Sequence, residues 1–123
     1  MANRTKLLIV EDEFLVARLL GRNLERFFGY EIIGPVATGE QAIARAEEDQ
    51  PDIVLMDIRL ASEMSGIEAA REIQTRCHIP IIFVTGYASG EHIAQCQELD
   101  PIAILEKPLG PPEIDAAIKF AFK

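Results

Sequence analysis

Five short apolar runs are spaced along the chain, each followed by a longer amphipathic stretch. This alternation restricts the fold more than any other feature. The runs are "KLLIV" (6–10), "YEIIGPVA" (30–37), "DIVLMD" (52–57), "IPIIFVT" (79–85) and "IAILE" (102–106). Their length and their aliphatic content predict buried strands. The stretch 14–28 between the first two predicts a helix, with Leu15, Leu19, Leu20, Leu24, Phe27 and Phe28 at helical spacing. Thr38 with Gln41, and Ser65 with Glu68, form capping-box patterns that open helices over 38–49 and from Ser65 to about Arg76. A weaker helix is expected over 89–99, with a short apolar face of Ile93, Ala94, Cys96 and Leu99, and a last one over 113–122 after two prolines. Gly34 and Pro35 interrupt the second strand, which is therefore expected at an edge.

Strand followed by helix, five times over, predicts an α/β fold with a parallel sheet, right-handed crossovers and helices on both faces. Five units are too few for an eight-fold barrel, which leaves an open doubly wound sheet. With 123 residues and no linker or composition shift, residues 1–123 are expected to form one domain. No apolar run approaches the roughly 20 residues that span a bilayer, and "LLIV" is too short for the core of a signal peptide. Twelve basic residues against 20 acidic ones leave a net charge of −8, which opposes direct binding to nucleic acid. Cys77 and Cys96 fit reduced thiols of a cytoplasmic protein better than a disulfide framework.

In an open α/β sheet the ligand site lies beyond the carboxyl ends of the strands. Those ends carry Glu11 and Asp12 after the first strand, Asp57 at the third, Thr85 at the fourth and Lys107 after the fifth. Clustered carboxylates repel one another unless a proton or cation relieves them. The candidate ligands are all oxygens, which favours Mg²⁺, or Mn²⁺, over zinc. Lys107 and the Thr85 hydroxyl suit the oxygens of a phosphate. The chemistry indicated is phosphoryl transfer, with Asp57 as nucleophile. Each residue taken alone has an ordinary alternative. Asp57 can simply close a strand, Glu11, Asp12 and Glu13 can be helix N-terminal acids, Thr85 a turn residue and Lys107 a solvated cation.

The motifs "VEDE" (10–13), "DIVLMDIRL" (52–60), "IIFVTGY" (81–87) and "LEKPL" (105–109), in this order and spacing, resemble the receiver domain of two-component response regulators. The resemblance covers nearly the whole chain. It implies a flavodoxin-like sheet of order 2-1-3-4-5, and a phospho-acceptor that takes part in its own phosphotransfer without being an enzyme in the ordinary sense. Asp57 would receive a phosphoryl group from a histidine kinase or a histidine phosphotransfer protein. Asp12 would bind Mg²⁺ directly, Glu11 through water, and Arg59 through its backbone carbonyl. Lys107 and Thr85 would contact the phosphoryl oxygens, and the Lys107–Pro108 bond would be cis. A downstream partner would be met by the face formed by the fourth helix, fifth strand and fifth helix.

Three positions depart from the common family pattern. Ile104 stands where a switch tyrosine or phenylalanine is usual. Ala61 replaces a proline in "LASEMSG" (60–66), a loop one residue longer than usual and therefore expected to move more. Gly86 and Tyr87 follow the threonine. These features resemble the stand-alone "FAT GUY" receivers, which are associated with kinases of the HWE type. In them Tyr87 is expected to take over from the missing aromatic, and Arg59 and Tyr87 to flank the path of the attacking water. Cys77-His78 and His92 are expected to have no role in the site, His92 lying solvated on a polar helix face.

Other functions fit less well. A phosphatase with an aspartyl-phosphate intermediate would resemble Asp-x-Asp at the nucleophile, where Asp57-Ile58-Arg59 has arginine. A nucleotide- or flavin-binding module needs a phosphate loop after the first strand, and "VEDEF" would repel one. A receiver-like interaction module that is never phosphorylated remains the alternative.

Overall fold

A computed structural model describes residues 4–86 and 89–122. The chain runs β1 (Lys6–Val10), α1 (Phe14–Phe28), β2 (Glu31–Val36), α2 (Gly39–Asp49), β3 (Ile53–Asp57), α3 (Gly66–Cys77), β4 (Ile81–Thr85), α4 (Gly90–Gln97), β5 (Ala103–Glu106) and α5 (Pro111–Ala121). All strand pairs are parallel and the order is β2-β1-β3-β4-β5. This is the receiver, flavodoxin-like arrangement.

Alternation along each strand divides the core into two layers. Leu8, Val10, Val54, Met56, Ile81 and Phe83 pack against α2, α3 and Cys96 of α4. Leu7, Ile9, Ile53, Leu55, Ile82 and Val84 pack against α1 and α5. Strands buried on both faces explain why they read as unbroken apolar runs.

Both capping boxes form, with Gln41 N–H donating to Thr38 and Glu68 N–H to Ser65, at 3.1 Å each. The last helix begins at Pro111, two residues earlier than the sequence suggests, because prolines fit the first turn. The weak fourth helix is confined to eight residues. Of its expected apolar face, Cys96 is buried, Ile93 partly buried and Ala94 exposed, while Leu99 packs on the core from beyond the helix's end. The pairing of β2 with β1 shifts register between Ile33, opposite Leu8, and Val36, opposite Val10, where the Gly34–Pro35 bond is cis. Gly34 has φ +91° and approaches the Ile9 carbonyl too closely for a Cβ. Such a break makes an edge strand a poor template for further pairing.

Helix α1 matches its expected span, but only part of its apolar set faces inward. Ala17, Gly21 and Leu24 are buried, with Leu20 and Phe28 packed beside them. Leu15, Leu19 and Phe27 are exposed, together with Phe14 and Val16. Small residues at 17 and 21 let the helix lie close to the sheet, where a Cβ on Gly21 would meet Ile32 at 3.1 Å and Ile9 at 3.2 Å.

Candidate functional site

The ends of β1 and β3, at one edge of the sheet, bring the acids together. Glu11 leaves β1 with its N–H bonded to the Val36 carbonyl at 2.9 Å, so the edge strand holds it in place. Asp57 is the last residue of β3 and is buried. One carboxylate oxygen each from Glu11, Asp12 and Asp57 lie within 4.8 Å of one another, with Glu11 and Asp57 buried and Asp12 exposed. Lys107 follows β5, its N–H bonded to the Thr85 carbonyl at 2.8 Å. Its Nζ donates to Glu11 Oε2 and to Asp57 Oδ2, both at 2.8 Å.

These groups set one another's charge. Burial pushes Glu11 up to about 8, reinforced by the Asp57 carboxylate and opposed by Lys107. Burial alone would lower the pKa of the Lys107 ammonium. Asp57 and Glu11 outweigh it and leave the pKa above its ordinary value. The cluster thus favours a bound proton or a cation at neutral pH. A donor set made only of carboxylates suits a hard divalent cation.

Thr85 ends β4, one position beyond Val84, the register partner of Asp57, and is buried. The Arg59 N–H donates to Asp57 Oδ1 at 3.2 Å. Glu11, Asp12, Asp57 and Lys107 thus meet at one edge of the sheet, and Thr85 ends the strand beside Asp57. Glu13 takes the N-cap position of α1 without a capping side-chain bond, and its own N–H donates to Glu11 Oε1 at 3.2 Å. The Lys107–Pro108 bond is cis. Tyr87 lies outside the described residues.

Two features of the site were not foreseen. The loop over 58–65 is tied down: Gly66 N–H donates to the Ile58 carbonyl at 2.8 Å, and Ser62 Oγ donates to the Met64 carbonyl at 3.1 Å. Met64 packs where a Cβ on Gly39 would sit, and a Cβ on Gly66 would overlap the Asp57 carbonyl. The spacing of Gly66 from Asp57 was visible in the sequence, but the close approach that requires glycine was not. Second, a groove of about 460 Å³ runs to Asp57 between α1 and α5, with Val16, Leu20, Leu109 and Ile114 in its walls. Phe14, Leu15 and Leu19 of α1 are exposed as well, on the helix's outward side.

His92 departs from its expected solvated position. It is partly shielded, and its Nδ1 is buried. No helix among the described residues is long and apolar enough to cross a membrane.

Comparison with known proteins gives one consistent family. The chain is 34% identical over 116 residues to the transcriptional regulatory protein PdtaR of Mycobacterium tuberculosis, covering 94% of this chain and 56% of that protein. It is 33% identical over 118 residues to the phyllosphere-induced regulator PhyR of Methylorubrum extorquens, covering 95% and 43%. The chain thus spans about half the length of these curated relatives. Among solved structures, the signal receiver domain of a modulated diguanylate cyclase from Desulfovibrio desulfuricans superposes with a TM-score of 0.88 at 34% identity, covering 97% of this chain and 94% of that one. A CheY-like receiver domain protein from Methanospirillum hungatei gives 0.88 at 30%, with the same coverage. The response regulator receiver domain pattern matches residues 7–119, and with the acid cluster of Glu11, Asp12 and Asp57 at its sheet edge, the chain belongs to the response regulator receiver domains of two-component signalling.

Proposed function

We propose that residues 1–123 act as one receiver unit that accepts a phosphoryl group on Asp57 from a phosphohistidine and signals through the resulting change of shape. The observation that carries this is the convergence of three carboxylates with Lys107 across two of them. The family supplies the class of partner, a histidine kinase or a histidine phosphotransfer protein. Motif residues Phe83, Val84, Thr85 and Gly86 favour the "FAT GUY" subgroup, and with it kinases of the HWE type. The cytoplasm, where such kinases expose their phosphohistidine, is the proposed location.

Asp57 is the nucleophile: its carboxylate oxygen forms the new P–O bond as the P–N bond of phosphohistidine breaks, and the imidazole leaves with the bonding pair. Asp12, Asp57, the Arg59 backbone carbonyl and Glu11, the last through water, are the proposed ligands of Mg²⁺. When bound, the ion neutralises charge that builds on the transferring group. Lys107 moves from bridging two carboxylates to pairing with phosphoryl oxygens, and Thr85 closes on another. The groove between α1 and α5, with its apolar rim, would receive the donor's helix and leaves Asp57 accessible from one side. The face of α4, β5 and α5 is the proposed contact for a downstream protein.

Intact mass after incubation with Mg²⁺ and acetyl phosphate tests the reading. One added phosphoryl group, dependent on Mg²⁺ and lost in Asp57→Asn, is expected. No addition, with acetyl phosphate or with any phosphorylated histidine donor, would leave the chain as a receiver-like interaction module.

A further inference from the structure

One side chain on α4 is not satisfied by its surroundings. The Nδ1 of His92 is buried and has no hydrogen-bond partner among the described residues. His92 lines a pocket of about 330 Å³ between α4 and the loop after Asp57, together with Ile58, Arg59, Leu60, Ser62 and Ser65. An unmet buried nitrogen raises the energy of the arrangement that holds it.

The helix carrying this ring is held unevenly. At its far end Gln74 Nε2 donates to the Leu99 carbonyl at 2.8 Å, and Cys96 is its one fully buried residue. At its near end, beside the site, the helix is capped by Ser89, which accepts the His92 N–H at 3.2 Å. Across the pocket Ser65 Oγ accepts the Glu68 N–H at 3.1 Å. That bond is exposed, so the Ser65 hydroxyl faces solvent and is free to donate elsewhere. A donor and an unmet ring nitrogen therefore border the same pocket without being bonded.

We propose that His92 couples the phosphorylation site to α4 by pairing with Ser65 only in the phosphorylated state. The inference rests on the phospho-acceptor reading above. When Thr85 is drawn toward a phosphoryl group on Asp57, the near end of α4, capped by Ser89, re-seats. The Ser65 hydroxyl then donates to His92 Nδ1, which relieves the unmet nitrogen. Ile104 has no polar handle, and His92 supplies a polar contact by which α4 registers the state of the site.

The test is ¹⁵N NMR of the His92 ring and of the α4 amides. Spectra are taken before and after acetyl phosphate with Mg²⁺, with intact mass taken in parallel. On phosphorylation the Nδ1 signal is expected to move to a hydrogen-bonded position in the native chain. It should stay put in Ser65→Gly, a substitution that keeps most of the helix cap. His92→Leu should keep its mass gain while the equilibrium constant for the α4 response falls about tenfold, the worth of one relieved polar group. A phosphorylated native chain with an unchanged Nδ1 signal would overturn the inference alone, as would a full α4 response in His92→Leu. No mass gain in the native chain would overturn the phospho-acceptor reading, and this inference with it.

Discussion

Lys107 Nζ stands 2.8 Å from Glu11 Oε2, a contact between residues 96 apart in the chain. The same ammonium reaches Asp57, so one cation from the end of β5 spans acids delivered by β1 and β3. Removing it should therefore be felt mainly when no metal is present. Lys107→Met is expected to lower metal-free stability by about 1–3 kcal/mol, the cost of leaving partly buried polar groups unpaired. Urea denaturation with and without Mg²⁺ checks this, and the loss should shrink when Mg²⁺ is added.

The proton affinity of Glu11 predicts a pH dependence. Its pKa is raised from an ordinary 4.5 to about 8 on folding, so the folded chain binds this proton more tightly than the unfolded one. That stabilising contribution is complete below about pH 4.5 and is lost as pH rises toward 8. Divalent cations compete with the same proton. The rise in Tm on adding Mg²⁺ should be larger at about pH 8 than at pH 6, and the metal should release protons on binding, measurable by calorimetry in buffers of different ionisation enthalpy. Equal Mg²⁺ effects at both pH values would count against the coupling.

Gly66 closes the loop behind the phosphoacceptor at a place where no Cβ fits. Gly66→Ala should cost about 1–3 kcal/mol through forced displacement of the Asp57 carbonyl. Mg²⁺ affinity should fall as well, because the same shift moves Asp57 and Arg59. Equilibrium unfolding and Mn²⁺ binding followed by electron spin resonance separate the two effects.

The outward face of α1 carries apolar side chains that contribute little to the core. Leu15→Lys with Leu19→Lys should change stability by no more than about 0.5 kcal/mol. The double variant should still accept phosphate from acetyl phosphate at the native rate, but transfer from a phosphohistidine protein should slow. Equal slowing with both donors would place these residues in the chemistry and not in docking.

Tyr30 Oη donates to Asp115 Oδ1 at 2.6 Å in the layer between the sheet and α5. Burial, and then the bond to Asp115, raise the Tyr30 pKa well above its ordinary value. Tyr30→Phe removes this bond from the Asp115 carboxylate, which stays paired with Lys119 at 3.0 Å. A loss of about 1–3 kcal/mol is expected from thermal or urea unfolding.

How much of this was legible beforehand differs between the strands and the helices. Fully buried parallel strands have to be apolar along their whole length, so β1, β3 and β4 announced themselves, and the polar residues at their ends marked the site. Capping boxes at Thr38 and Ser65 are local bonds over three residues, and both were read correctly. The inward face of α1 was not, because Leu15, Leu19 and Phe27 share helical spacing with the residues that do face inward. His92 was expected in solvent because its sequence neighbours are polar. Its actual neighbours come from the loop after β3.

The sequence by itself determined the α/β alternation, the edge position of β2, and which acids would gather with Lys107 at one edge. These follow from periodicity and from the rule that strand ends of a parallel sheet share one edge. Only the tertiary structure decided that Lys107 spans Glu11 and Asp57, that Gly66 must lack a side chain, and that His92 Nδ1 goes unmet. Each of these depends on distances between residues far apart in the chain, set by how helices settle on the sheet, and a linear pattern carries no such distances.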